Sequence, residues 1–134
     1  MTNKNFLTFA SVVAFLYGLG FVLMPAQLLS IYNVTLNEAG IVICRLFGAA
    51  LLGYGVLNWS ARGFGESETR AVLTTNLVSD GLGFVFALMG QLSGTAGVNS
   101  LGWSTVVLYL ILAAGFAYLR FAGVRSTAAS PQMR

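Results

Sequence analysis

The chain has 134 residues, of which 57% are hydrophobic and 8% charged, and its net charge is +3. A soluble domain carries about 25% charged residues, so this chain has too little polar surface to cover a fold in water. Seven Lys and Arg residues scattered along the sequence build no basic face, which argues against nucleic acid as a partner. There is no histidine and a single cysteine, Cys44. That composition excludes His-ligated haem, Ser–His and Cys–His catalytic pairs, and an intrachain disulfide.

Four apolar stretches, about residues 6–24, 40–59, 71–90 and 103–122, take up most of the chain. Each is close to the ~20 residues a helix needs to cross a ~30 Å hydrocarbon layer. The expected fold is therefore all-α: a polytopic four-helix transmembrane bundle, one domain over residues 1–125, with a disordered tail over 126–134.

The first stretch follows Lys4 and is longer than the apolar run of a signal peptide, with no A-x-A site after it. It reads as a retained span. Ala10, Ala14 and Gly18 recur at four-residue spacing, a stripe that lets helix backbones approach closely. Pro25 closes the helix, because proline lacks an N–H and clashes with the preceding turn. The run after it, AQLLSIYNV, reads either as a short interfacial helical turn or as a plain connector. Asn33, Thr35 and Asn37 supply turn and cap chemistry before the second helix.

The second stretch holds Arg45, about 8 Å inside its boundary at Gly40. At 100° per residue Arg45 shares a face with Gly48, Ala49, Leu52 and Trp59. Ala49 and Gly53 form another small-residue step, and Asn58 is placed to bond across helices. Glu66 and Glu68 in the following loop read as solvated groups near Arg62 and Arg70.

The third stretch contains Asp80, about 15 Å from Gly90 and so near the midplane. A carboxylate there costs about 2.5–3.5 kcal/mol on insertion scales. Leu73, Asn76, Asp80, Gly83 and Ala87 share one small, polar face that should look into the bundle. Arg45 is the expected partner of Asp80, and snorkelling of Arg45 to headgroups is the alternative. The pair reads either as a structural ion pair or as a polar binding site completed by Asn76.

The loop QLSGTAGVNSLG is polar, rich in glycine and expected to be mobile. In the fourth stretch Ala113 and Ala117 repeat the small-residue spacing, and Trp59 and Trp103 mark helix ends. Phe84, Phe86, Tyr109, Phe116 and Tyr118 read as packing or lipid-facing aromatics that could line a crevice for a flat apolar molecule. Lys4, Arg62, Arg70, Arg120, Arg125 and Arg134 all fall on one side of the four spans. That asymmetry puts both termini in the cytoplasm of a bacterial inner membrane. Gly18-Leu-Gly-Phe-Val22 in the first stretch and Gly81-Leu-Gly-Phe-Val85 in the third hint at a 2+2 internal repeat. Chance in Gly- and Leu-rich helices is the alternative.

The runs GFVLMPAQLLSIYNV and CRLFGAALLGYGVLNW resemble the DoxX-like group of small bacterial membrane proteins and related families of unknown function. The resemblance covers most of the first two helices. It implies a four-span architecture, a proline that closes the first helix, and an arginine, here Arg45, that opens the second ahead of Gly48, Ala49, Gly53 and Gly55. Some of those relatives are implied as membrane subunits of quinone-linked sulfur oxidation, and most have no assigned activity.

The expected function is a non-enzymatic accessory or binding protein, associated with the bilayer and with a larger membrane complex or a second copy. It would hold a partner, a lipid or a quinone-like molecule among its helices. The alternative is a small homo-oligomeric transporter or channel with Asp80 as its proton or cation site. The residues indicate no cofactor and no metal.

Overall fold

The computed structural model describes residues 3–94 and 97–127, with side chains described through residue 122. The described residues form five helices: α1 Asn3–Leu23, α2 Pro25–Ser30, α3 Glu38–Ala61, α4 Glu66–Ser93 and α5 Gly102–Thr127. The four long ones contain the four apolar stretches, and each is long and apolar enough to cross a membrane. Helix α4, at 28 residues, reaches about 42 Å.

Local chemistry sets the boundaries. Pro25 begins α2 rather than ending all helical structure, since its missing N–H costs nothing in a first turn. The run after Pro25 is thus helical as far as Ser30 and then turns. Asn37 caps α3, its side chain accepting a hydrogen bond from the Gly40 N–H at 2.8 Å. Glu66 and Glu68 stabilise the N-terminus of α4, so that helix starts five residues before its apolar run. Gly94 ends it in the left-handed conformation, at φ 63°. Helix α5 continues through Ser126 and Thr127, past the boundary expected for the tail; residues 128–134 lie outside those described.

The helices pack as two tight pairs, α1 with α3 and α4 with α5. Gly18 and Gly48 face each other across the first seam. A β-carbon on Gly48 would lie 2.8 Å from the Gly18 carbonyl oxygen, and one on Gly18 would lie 2.9 Å from the Leu52 side chain. Ser11, fully buried, donates to the Gly55 carbonyl at 2.7 Å. Ala10 and Ala14 are buried on the same helix. The expected small-residue stripe of the first helix therefore packs as anticipated. Ala49 and Gly53 do not: both are exposed, and nothing lies within 4 Å of a β-carbon on Gly53. The seam turns Gly48, Leu52 and Gly55 toward α1. Arg45, like Ala49 and Gly53, is exposed, and it lies on the side of α3 away from Phe47, Tyr54 and Asn58. In the second pair the Tyr109 ring rests directly on Gly83.

The two pairs join at one end, here called the core end. Phe6, Leu7 and Ala10 of α1 meet Ala61 of α3, Val72 and Leu73 of α4, and Leu112, Phe116 and Leu119 of α5. Phe6 and Phe116 stack edge to face, 4.9 Å between centroids. At the opposite end the loops tie the pairs together. Asn99 donates from its side chain to the Ile31 carbonyl (2.9 Å) and from its backbone to the Tyr32 carbonyl (3.1 Å). Asn33 donates to the Gly97 carbonyl at 3.3 Å. The loop expected to be mobile is thus latched through its described residues; Thr95 and Ala96 lie outside them.

Between 11% and 33% of the most apolar window of each long helix is buried. The remainder is a belt of outward side chains that includes Leu16, Leu46 and Phe86, each 67% exposed. An exposed apolar surface of this kind marks a face that meets another protein or a membrane. The two glycine motifs that suggest a repeat have different surroundings. Gly18 is buried in a seam, whereas a β-carbon on Gly81 would meet nothing within 4 Å.

Candidate functional site

Two tight pairs joined at one end leave a gap between them. It forms a crevice of about 370 Å³, inside the ~300–1,000 Å³ range of small-molecule sites. Helical spacing supplies its walls. Ala10, Ala14 and Tyr17 come from one face of α1, and Phe47, Leu51, Tyr54 and Asn58 from one face of α3. Helix α4 adds Asn76, Ser79, Asp80 and Ala87, and α5 adds Thr105, Leu108, Tyr109 and Phe116. Phe21 and Phe47 stack edge to face at 5.3 Å on the wall nearer the latch.

A reciprocal amide pair lies toward the core end. Asn58 Nδ2 donates to Asn76 Oδ1 at 3.2 Å, and Asn76 Nδ2 donates back to Asn58 Oδ1 at 2.8 Å. The second Asn76 donor goes to the Val72 carbonyl at 2.9 Å. Both residues are buried, at 2% and 4% exposure. Asn76, expected as part of a polar binding site, has both amide hydrogens committed and acts here as a cross-link between α3 and α4.

Asp80 lies one turn beyond Asn76, half-buried and facing the crevice. It has no hydrogen-bond partner and no counter-charge among the described residues. The expected Arg45 partner is not brought to it. Arg45 is exposed and belongs to the opposite side of α3, because the Gly48 seam fixes that helix's rotation. Gly83, one turn past Asp80, serves as the platform for Tyr109.

The tyrosines are the lining residues that spacing alone did not single out as a group. Tyr17, Tyr32, Tyr54 and Tyr109 all border the crevice, and each comes from a different element. Of the aromatics considered as crevice lining, Tyr109 and Phe116 face inward, while Phe86 and Tyr118 face out. One signal was available: Ala10, Ala14, Tyr17 and Phe21 keep a single helical face on α1. Among the described residues no three His, Cys, Asp or Glu side chains converge. The crevice therefore offers a ligand aromatic faces, hydroxyls and one carboxylate.

Access follows from the packing. The apolar cluster closes the core end, and the Asn33–Gly97 and Asn99–Ile31 bonds bridge the other. The flanks between α3 and α4, and between α1 and α5, have far less backbone contact than the seams.

Around this crevice stand four helices that are long and apolar enough to cross a membrane. The chain belongs to the family described as Domain of unknown function (DUF8292), which it matches over residues 2–119. Comparison with curated proteins and with solved structures found no match.

Proposed function

We propose that this chain is a small integral membrane protein that holds a lipid-soluble molecule in the crevice between its two helix pairs. The ligand class is an amphiphile with a flat or chain-like apolar body, quinone-like or lipid. The protein acts as a binding or accessory subunit rather than as an enzyme. The observation that carries this reading is the crevice itself, a space of about 370 Å³ lined mainly by apolar and aromatic side chains between helices whose outer faces are also apolar. Such a lining suits a molecule that partitions into the bilayer better than a water-soluble solute.

The membrane placement is part of the proposal. Lys4, Arg62, Arg70 and Arg120 gather at the core end, which supports reading that end as the cytoplasmic side of a bacterial inner membrane, with both termini there. Arg45 sits toward the other end and snorkels to the outer headgroups. The contiguous pairs α1–α3 and α4–α5 are the arrangement a duplicated helix pair would give. The likeness of the first two helices to the DoxX-like group agrees with a quinone-like ligand.

One observation favours a second reading. The Asp80 carboxylate faces the crevice without a counter-charge, as a proton or cation site of a small homo-oligomeric transporter would.

The test is purification of the full chain in mild detergent, followed by mass spectrometry of organic extracts. The binding reading predicts a bound isoprenoid or lipid that is lost from Ala50→Phe and Ala87→Phe, which fill the crevice, while both variants remain folded. If the extracts match detergent blanks and proteoliposomes move protons in an Asp80-dependent way, the transporter reading replaces it.

A further inference from the structure

A second concavity lies outside the crevice, toward the core end of α4 and α5. Arg70, Thr74, Thr75 and Val78 of α4, Arg120 of α5 and Tyr54 of α3 border it. Its unusual content is two guanidinium groups facing one groove. The antiparallel α4 and α5 bring them to similar heights. Arg120 Nε donates to Thr74 Oγ1 at 2.9 Å, and Thr74 is one turn beyond Arg70.

The local hydrogen bonds determine what the groove has left to offer. The Thr74 hydroxyl donates to the Arg70 carbonyl at 2.8 Å, and the Thr75 hydroxyl to the Ala71 carbonyl at 3.0 Å. Both hydroxyl hydrogens are spent on the helix backbone. The bond to Thr74 holds Arg120 by its Nε edge and leaves the terminal nitrogens for another acceptor. The Arg70 side chain has no hydrogen bond or ion pair among the described residues. Glu66 and Glu68, the nearest acids in sequence, are exposed and pair with neither arginine. Arg62 at the same end differs. It lies over the Trp59 ring at 3.4 Å from the centroid, and it donates to the Trp59 carbonyl and to Thr8.

Two adjacent guanidiniums with no carboxylate between them repel each other until an anion joins them. The fork of donors on each matches an oxyanion with several oxygens, phosphate above all. Beyond the arginines the groove runs past Tyr54 and Val78, the latter 57% exposed. A polar head at Arg70 and Arg120 would therefore continue into an apolar track along α4. No acid borders the groove to receive the cation of a zwitterionic headgroup. We propose that Arg70 and Arg120 form a binding site for the phosphate headgroup of an anionic phospholipid, with its acyl chains laid along Val78 and Tyr54. The site rests on the membrane placement; its two arginines lie outside the crevice, while Tyr54 borders both.

The test is native mass spectrometry of the full-length protein released from mild detergent. It is titrated separately with phosphatidylglycerol, phosphatidylcholine and inorganic phosphate. Phosphatidylglycerol is expected to bind about tenfold more tightly than phosphatidylcholine, with Arg70→Gln and Arg120→Gln each removing most of that preference. Arg45→Gln, on the far side of α3, should leave it intact. Arg70→Gln removes no contact within the protein and so gives a readout even if Arg120→Gln disturbs the fold. Full binding by Arg70→Gln overturns the proposal, as does an equal loss in Arg45→Gln. Displacement of phosphatidylglycerol by equimolar inorganic phosphate would show that free phosphate, not lipid, is the ligand.

Discussion

Asn58 and Asn76 each donate an amide hydrogen to the other across the α3–α4 interface, at 3.2 and 2.8 Å. Each pair of helices thus holds the other through a buried amide, in addition to the hydrogen bonds of the loops at the latch. Replacing one partner leaves the other amide buried and unsatisfied, while replacing both with leucine removes the demand altogether. Asn58→Leu or Asn76→Leu should each destabilise the bundle by about 1–3 kcal/mol. The double variant should cost clearly less than the sum, with a coupling of about 0.6–1.7 kcal/mol. Unfolding of the four proteins in a mixed-micelle denaturant titration gives the coupling directly, and strictly additive losses would contradict it.

Gly48 and Gly53 lie five residues apart on α3 with opposite roles. A β-carbon at Gly48 would press on the Gly18 carbonyl, whereas one at Gly53 would meet open space. Gly48→Ala should push α1 from α3 and lower stability by about 1–3 kcal/mol. Gly53→Ala should be neutral or slightly stabilising, by up to about 1 kcal/mol, through helix propensity. Paired thermal melts in one detergent compare them, and similar shifts would show that the seam is not where the structure puts it.

Asn99 ties the α4–α5 loop to the connector after α2 with two of its own groups. Asn99→Ala keeps the backbone bond to Tyr32 and removes the side-chain bond to Ile31, a loss of about 0.5–1.5 kcal/mol. Local opening at the latch should rise accordingly, about two- to tenfold. Amide hydrogen exchange over residues 97–104 should accelerate while the core end around Phe6 and Phe116 stays protected. Uniform acceleration in both regions would mean that the latch is not a separable closure.

Asp80 and Arg45 should respond separately. Asp80 faces the crevice and Arg45 the outer surface. Asp80→Asn should change the amount or identity of the molecule retained on purification, whereas Arg45→Gln should leave it unchanged. Neither should lower stability by more than about 1 kcal/mol, because neither breaks a pair in the fold. A charge-swapped double variant that rescues a damaged single one would restore the ion pair between them.

Several features could be read from residue order because they depend on local chemistry. Length and hydropathy mark the four long helices, Pro25 breaks the first, Asn37 caps α3, and the spacing of Ala10, Ala14 and Gly18 marks a packing stripe. The rotation of α3 could not be read. Gly48, Ala49, Gly53 and Gly55 offer two equally small stripes, and the choice between them rests on Ser11 reaching a backbone carbonyl, that of Gly55. An acceptor on the main chain has no signature in composition. Placing Arg45 against Asp80 rested on their depths, which leave the rotation of α3 open. The crevice was also out of reach, since it arises from the angle between two pairs rather than from any segment. The tyrosines that border it are spread over four elements.

The division into α1–α3 and α4–α5 also bears on how the molecule is made. Each pair is contiguous in the chain, and its seam uses only its own residues, Gly18 with Gly48 and Gly83 with Tyr109. The first hairpin can therefore finish zipping while the ribosome is still translating the second. What remains afterwards is a single docking step between two completed halves, and the crevice comes into being only then.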